Sequence, residues 1–431
     1  MGIGAEVGTV CGNLAAGIFL ARAVGADGKG IFTVAMTVAA VASAVLGMRW
    51  DRPVGHFLAK ESSALPTIVT SVAVVAGVAM GLTGLVLSLG PPRLSEILLR
   101  GVDRSVVQLV PWLVGAQCVY VGIAALYGGL RDFAGRSRFI LTYNVLQGIT
   151  IGTVYLAGVR EVVTYLRWYA ATSWMLEMSW LTALGWRYRV RPRWEGRLIR
   201  RMAGFGSLSY FALLLDLVTV RLDIIMLNYM SSAAAVGVYS VAVSIGARLA
   251  SVPQIIGYVV FHRASARELG SGARTAQLLR MAALVITGSG LVVALAGTLL
   301  VVPLYGSGFA GAVPALWIMI PAMCVWGLYR LLASDIEGRG RPGLVSMSSL
   351  IANATIVTLD VLWIPRYGIL GAAWASLIAY VVALAVAALM FCRVTGLRAR
   401  DAYCYRSDDL GTMSRIATRL ARRTGLAGQP G

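Results

Sequence analysis

The segment from Gly204 to Met230 reads GFGSLSYFALLLDLVTVRLDIIMLNYM and has the length and composition of one membrane-spanning helix. It nevertheless carries Asp216, Arg221 and Asp223. An ionised group at the centre of a bilayer costs roughly 2.5–3.5 kcal/mol on insertion scales, so such groups face a bundle interior or a wet cavity. At about 100° per residue, the two aspartates share one helix face and Arg221 points away from it. Two interpretations stay open, a buried structural charge network and a site that contacts substrate or ion.

The whole chain has the composition of a membrane protein. Its 431 residues are 58% hydrophobic and 13% charged, whereas soluble domains carry about 25% charged residues. Apolar runs of spanning length recur from end to end and leave no room for a sizeable soluble domain. The sequence therefore predicts an all-α polytopic membrane protein with about 12 transmembrane helices. We place these spans at residues 3–21, 31–48, 66–90, 106–128, 139–159, 164–185, 204–229, 237–260, 281–303, 313–334, 343–364 and 368–391.

The positive charges indicate how the chain is oriented. Most of the 38 Lys and Arg residues lie in alternate connections and in the C-terminal tail, with the longest basic connection at Arg187–Arg201. Positively charged segments stay in the cytoplasm, so both termini are predicted to be cytoplasmic. The net charge of +19 then reflects topology and contact with anionic lipid, and it requires no nucleic acid partner.

The two halves of the sequence repeat each other. The segment Gly30–Thr37, GIFTVAMT, matches Gly237–Ser244, GVYSVAVS, and each copy begins a predicted span. A weaker echo pairs Gly135-Arg136 with Gly340-Arg341. Internal repeats are typical of secondary transporters, whose substrate site lies near the membrane midplane between the halves.

This repeat predicts two six-helix bundles. The predicted parts are an N-terminal bundle at 1–186, a basic cytoplasmic linker at 187–203, a C-terminal bundle at 204–392 and a basic cytoplasmic tail at 393–431. In the tail, Ile416 and Leu420 lie four residues apart among arginines. That spacing fits a basic amphipathic helix on the inner leaflet, and a disordered tail fits equally well.

Several short motifs resemble the polysaccharide flippase family of the O-antigen, or Wzx, type. They follow one another in the family's order and cover nearly the whole chain. The motifs are LARAVGADGKGIF at Leu20–Phe32, RLD at Arg221–Asp223, AVGVYS at Ala235–Ser240, YGSGFAGA at Tyr305–Ala312, GRGRP at Gly338–Pro342 and IPRYGILGAA at Ile364–Ala373.

The resemblance implies both a fold and a function. The wider superfamily includes MurJ-type lipid II flippases and MATE drug exporters, built as two six-helix bundles with an alternating-access cavity. The implied function is the movement of a polyprenyl-pyrophosphate-linked oligosaccharide across the bacterial cytoplasmic (inner) membrane. The implied partners are that lipid-linked glycan, the inner-membrane lipids, a polysaccharide polymerase and the chain-length machinery.

Four arginines are candidates for binding the anionic headgroup, because a guanidinium stays charged and forks onto phosphate oxygens. Arg221 and Arg248 lie inside spans of the second half. Arg22 is carried over from the family-like motif, and its alternative is a snorkelling arginine at a span end. Arg167 is flanked by Trp168 and other aromatic residues, an arrangement typical of the membrane interface.

Four acids within predicted spans are candidates for coupling transport to H⁺ or Na⁺, namely Asp216, Asp223, Glu177 and Asp360. A carboxyl in a low-dielectric setting takes up a proton readily. Ion pairing with arginine is the alternative. The five cysteines and two histidines have no metal-ligand spacing, so we expect no metal and no cofactor.

Other transport and enzyme functions compete with the flippase hypothesis. A MATE-type cation or drug antiporter would favour acids and aromatic residues over arginines in its site. A lipid II flippase is a close relative of the flippase hypothesis. A membrane polymerase or ligase needs catalytic residues on a sizeable outer loop, yet the longest outer connection, 91–104, is short and has only Glu96 and Asp103 as acids. We therefore expect a transporter and not an enzyme.

Overall fold

The computed structural model describes residues 3–48, 50–90, 98–265 and 271–404, which are almost entirely helical and include no β-strand. Apart from short 3₁₀ turns, the helices are α1 Ile3–Leu46, α2 Asp51–Lys60, α3 Leu65–Leu89, α4 Arg104–Val107, α5 Val110–Gly129, α6 Phe133–Leu156, α7 Val162–Arg187, α8 Gly196–Met230, α9 Ala233–Ser265, α10 Ser271–Tyr305, α11 Ala312–Gly338, α12 Pro342–Tyr367, α13 Ile369–Thr395 and α14 Ala399–Tyr403.

The long helices coincide with the predicted spans. The first two predicted spans both lie on α1, and each of the others lies on a long helix of its own. Within the described part of the chain, 9 helices are long and apolar enough to cross a membrane, with α1 counted once. α7 and α8 have the length of spans but are not among those 9. The prediction of an all-α polytopic membrane protein is confirmed.

The first two predicted spans are both parts of α1. Helical geometry is interrupted between them at Gly25, whose φ is 68° and ψ is −170°. This left-handed φ favours glycine, because a Cβ would clash with the backbone in that conformation. α1 therefore consists of two helical segments that meet at a kink.

The glycines that open the two repeat segments pack directly against each other's helices. A Cβ built on Gly30 would lie 1.7 Å from the carbonyl oxygen of Ala233, and one built on Gly237 would lie 1.9 Å from that of Ala26. Each glycine thus faces the carbonyl four residues before the other. Such a reciprocal contact is what local two-fold symmetry produces. The contact supports the internal repeat. It leaves room for no side chain larger than a hydrogen atom at Gly30 or Gly237.

Contacts divide the chain into two compact units. The first holds the described residues up to Ser240 together with Val301–Gly311 and Ile364–Ile369. The second holds Val241–Leu300, Ala312–Trp363 and the described residues from Leu370 onward. The turns at 301–311 and 364–369 therefore pack with the first half of the sequence although their helices belong to the second. The predicted bundles at 1–186 and 204–392 stay a prediction.

The start of the C-terminal tail folds back onto the second unit. Arg280, which is 6% exposed, donates hydrogen bonds of 3.0 and 3.1 Å to the carbonyls of Asp401 and Ala402. The Tyr403 hydroxyl donates to the carbonyl of Ala388 at 2.7 Å. These bonds dock α14. The amphipathic segment expected around Ile416 lies outside the described residues.

The contact between the repeat glycines predicts that neither accepts a side chain. Gly30→Ala or Gly237→Ala should lower the free energy of unfolding by about 1–3 kcal/mol through overpacking against a carbonyl. Gly77→Ala is the matched control, because a Cβ at Gly77 in α3 meets nothing within 4 Å. Thermal unfolding of the purified protein in detergent measures the difference. An unchanged melting temperature in both repeat variants would contradict the contact.

Candidate functional site

A cavity of about 210 Å³ lies inside the first unit, enclosed by α1, α3, α5 and α8 together with the connection that leads into α2. Arg221 of α8 is half-buried and lines it. Ser43, Gln117 and Asp51 supply the other polar side chains of the wall. A cation beside hydroxyl and amide groups suits an anionic, hydrogen-bonding ligand.

A second cavity of about 600 Å³ adjoins the first, and Asp51 and Val121 line both. Its walls come from α2, α5 and α6, and they include Arg52, Arg136 and His56. We call the two adjoining cavities the arginine cavity, after Arg52, Arg136 and Arg221. Three guanidinium groups from three different helices thus line these two adjoining cavities.

The sequence interpretation missed two of these three arginines. Arg52 and Arg136 fall in segments assigned to inner connections. Arg52 lies on α2, a short amphipathic helix whose apolar residues Val54 and Phe57 are buried. That pattern marks a helix with one face packed against the bundle, and it could have indicated that the opposite face borders a cavity. The Gly135-Arg136 echo of the repeat was a second available signal.

Arg22 donates hydrogen bonds to backbone carbonyl groups. Its Nε donates to the carbonyl of Leu304 at 2.8 Å, and a second guanidinium nitrogen donates to the carbonyl of Pro303. These carbonyls end α10, so Arg22 caps that helix. Nearby, Lys29 is 8% exposed, and its Nζ lies 5.9 Å from the centre of the Tyr305 ring. The two cations hold the 301–311 turn against α1, a role that the sequence did not indicate for Lys29.

The remaining predicted arginines are not among the residues that line these two cavities. Arg167 is exposed on α7 beside Trp168, itself 56% exposed, which fits a residue at the membrane interface. Arg248 is exposed on α9 in the second unit. Substrate binding by Arg22, Arg167 and Arg248 stays a prediction.

Among the predicted acids, Asp223 is fixed by hydrogen bonds. It is 2% exposed and accepts from the Tyr239 hydroxyl at 2.7 Å and from the Ile224 amide at 2.8 Å. Since Tyr239 belongs to the second repeat segment, this carboxylate ties α8 to α9. Asp360 of α12 is fully buried in the second unit. The side chain of Asp216 lies outside the described residues, so its shared face with Asp223 stays a prediction.

Glu177 has a different environment. It is 0% exposed, and neither of its carboxylate oxygens has a hydrogen-bond partner among the described residues. The polar groups around it bond to one another instead. The Tyr143 hydroxyl lies 2.9 Å from the Ser173 hydroxyl, to which the Gln147 amide donates at 2.6 Å. The carboxyl therefore has neither a donor nor water-exposed surface to stabilise a negative charge.

Comparison with known proteins shows similarity in structure and none in sequence. No protein-family model matches the chain, and no curated protein sequence matches it. The lipid II flippase MurJ in an inward closed conformation aligns with a TM-score of 0.71 and 10% identity, covering 99% of this chain and 92% of that one. An inward-facing multidrug resistance transporter of the MATE family, in the MOP superfamily, aligns with a TM-score of 0.62 and 14% identity, covering 90% and 96%.

A MATE transporter from Vibrio cholerae aligns with a TM-score of 0.54 and 15% identity, covering 92% of this chain and 95% of that one. These identities are low, but the coverage is nearly complete in both directions for all three structures. The chain therefore has the fold of these transporters.

His56 lines the arginine cavity. The predicted topology makes it accessible from the cytoplasmic side of the membrane. In a cysteine-free background, His56→Cys should react with a membrane-impermeant maleimide in inside-out vesicles and not in right-side-out vesicles. Glu161→Cys is the control, since this exposed residue precedes α7 at a predicted outer connection. It should show the opposite pattern. Reaction of His56→Cys from the outer side alone would contradict the orientation.

Proposed function

We propose that this protein is an alternating-access flippase. It moves a polyprenyl-pyrophosphate-linked oligosaccharide from the inner to the outer leaflet of the bacterial cytoplasmic membrane during surface polysaccharide biosynthesis. Both termini are cytoplasmic in this proposal. The protein works beside a polysaccharide polymerase and chain-length machinery, and it catalyses no covalent step.

The arginine cavity is the observation that carries this proposal. A pyrophosphate in the bilayer needs partners that stay charged in a low dielectric and offer several N–H donors, which guanidinium groups do. Arg221 lies on one wall, and Arg52 and Arg136 lie on the adjoining walls. Glycan hydroxyls find partners in Ser43 and Gln117. Arg248, in the second half of the sequence, remains a proposed substrate-binding residue.

The fold supports a transporter that passes a headgroup through the protein. Solved structures with this fold include one titled as a lipid II flippase and others titled as multidrug transporters. A lipid-linked substrate keeps its isoprenoid chain in the bilayer and sends only the polar headgroup through a cavity. An amphiphile with a pyrophosphate at the junction fits a cavity whose cations lie within a helical bundle.

The alternative transport functions differ in the molecule that is transported. A lipid II flippase would use the same arginines for the same pyrophosphate, so it differs from our proposal in the glycan alone. A cation or drug antiporter would be opposed by three guanidinium groups, and Asp51 is the single acid among the described lining residues. The arginines therefore favour an anionic substrate.

Coupling to an ion is part of the proposal. Glu177 is a proposed proton-binding residue, because its carboxyl is buried and has no hydrogen-bond donor among the described residues. Asp223 is held by Tyr239 and is better suited to a structural role. Asp216 and Asp360 remain proposed coupling residues, with H⁺ or Na⁺ as the ion.

Removing arginines from the cavity should stop export. Arg221→Ala and Arg136→Ala should each lower surface glycan about 10-fold or more, because truncating one charged partner of a phosphate contact leaves the other unpaired. We expect the same direction for Arg248→Ala. Surface glycan is measured by labelled lectin or antibody binding at equal protein level in the membrane.

Arg138→Ala is the matched control for Arg136→Ala. Arg138 lies two residues further along α6, is exposed and does not line the cavity, so export should stay normal. Normal surface glycan in both Arg221→Ala and Arg136→Ala, with the proteins inserted at wild-type level, would refute the anion site.

A further inference from the structure

Glu177 lies directly behind the wall of the arginine cavity. The Tyr143 hydroxyl lies 2.9 Å from the hydroxyl of Ser173, which precedes Glu177 by one turn of α7. The Tyr143 ring packs against the ring of Tyr120, with 4.6 Å between the ring centres, and Tyr120 lines the larger cavity. These aromatic side chains therefore connect the surroundings of Glu177 to the space that Arg52 and Arg136 line. Because packed side chains lie between them, a charge on Glu177 and an anion in that space are screened less than they would be in bulk water.

The residues around Glu177 leave it without compensation for a negative charge. Ser173, one turn before it, accepts from Gln147 and donates to the Tyr169 carbonyl at 2.9 Å. Gln147 also donates to that carbonyl at 3.2 Å. Within the described ranges, neither carboxylate oxygen of Glu177 has a hydrogen-bond partner. An ionised carboxylate is costly in such a place, and the arrangement suits the neutral acid.

We infer that anion binding in the arginine cavity is linked to a proton on Glu177. This inference rests on the proposed anion site. An ionised Glu177 repels a bound pyrophosphate, whereas a protonated one does not. Binding the anion therefore makes the carboxylate take up one proton from solvent, giving a neutral carboxylic acid. By reciprocity, the proton raises the affinity of the cavity for the anion by the same factor.

The linked ion is a proton and not Na⁺. Sodium would need several oxygen ligands converging with the carboxylate. The Tyr143 and Ser173 hydroxyls are instead bonded to each other, and no cluster of three or more acidic, His or Cys residues occurs in the searched part of the chain. A proton needs only one carboxylate oxygen.

The linkage changes the charge of the transported complex. A loaded protein with a neutral Glu177 carries one negative charge fewer beside the pyrophosphate than one with an ionised Glu177. Charge in a low dielectric is costly, so the proton lowers the cost of closing the loaded cavity. The acid therefore tunes substrate affinity without touching the substrate.

Other titratable groups face the same region and need controls. Cys118 and Tyr120 on α5, Tyr143 on α6 and Tyr169 on α7 surround Glu177. Cysteine thiols and tyrosine hydroxyls ordinarily ionise above neutral pH. Asp51 and His56 line the cavity itself. The His56 imidazole is a base that can carry a proton and a positive charge, so it is the main competing source of pH-dependent anion binding.

Binding of farnesyl pyrophosphate to the purified full chain in detergent tests the linkage. Isothermal titration calorimetry from mildly acidic to mildly alkaline pH should show the wild-type affinity falling about 10-fold as pH rises. In Glu177→Gln the affinity should not fall as pH rises. Over the whole pH range it should stay close to the value that wild type has at acidic pH. His56→Asn should keep the Glu177-dependent fall. Changes in the probe's own charge are common to all variants and cancel in the comparison.

Proton uptake can be counted in the same experiment. Repeating each titration in buffers of different ionisation enthalpy gives the protons taken up per bound anion. We expect a net uptake in wild type that is lost in Glu177→Gln and kept in His56→Asn. Equal uptake in wild type and Glu177→Gln would overturn the inference. The inference would also be overturned if Na⁺ at constant pH changed the affinity of wild type and not that of Glu177→Gln.

The outcomes separate this inference from the proposed function. If wild type binds farnesyl pyrophosphate and Arg221→Ala does not, the anion site holds, and the Glu177 comparison alone decides the linkage. If wild type fails to bind at every pH, the anion site and the linkage that rests on it both fall. Binding to wild type and Glu177→Gln with the same pH dependence would leave the anion site intact and refute the linkage.

Discussion

The close approach of Gly30 and Gly237 is the constraint on which the first unit depends. Each glycine opens one copy of the sequence repeat, and each faces a carbonyl oxygen of the other copy's helix. Any side chain would separate the helices. Around this contact, the kink at Gly25 turns α1, Asp223 ties α8 to α9 through Tyr239, and Arg22 and Lys29 hold the turn after α10. These contacts connect the second half of the sequence to the first.

The interior of the first unit combines a cavity lined by arginines with a buried acid. In the proposed function, the arginine cavity presents cations to the substrate, and Glu177 lies behind it with no hydrogen-bond partner among the described residues. A buried acid next to a cation-lined cavity can take a proton when an anion arrives. In this proposal, substrate recognition and ion coupling are two consequences of one electrostatic arrangement, in which side chains of α5 and α6 lie between the acid and the cavity.

Much of the fold follows from the sequence, because hydrophobic length and positive charge are properties of the chain alone. The all-α polytopic architecture was predictable for this reason. The likeness of the segments that begin at Gly30 and Gly237 indicated a repeat, but not that the two glycines pack against each other's helices. The site was less predictable. Arg221 was recognised because it interrupts an apolar helix, whereas Arg52 and Arg136 resemble ordinary cytoplasmic charges until tertiary packing places them on a cavity wall. The lack of a hydrogen-bond partner for Glu177 was likewise not predictable. It depends on the neighbouring hydroxyl and amide groups bonding to one another, and the hydrophobic periodicity of the sequence gives no information on such bonds.

Depletion of the protein in its native host, followed by mass spectrometry of the extracted lipids, tests the central claim most directly. A flippase for a lipid-linked oligosaccharide predicts accumulation of a polyprenyl-pyrophosphate glycan in the inner leaflet, and the mass identifies the glycan. Absence of such a lipid, together with increased retention of ethidium-like cations, would contradict this account and indicate a drug antiporter.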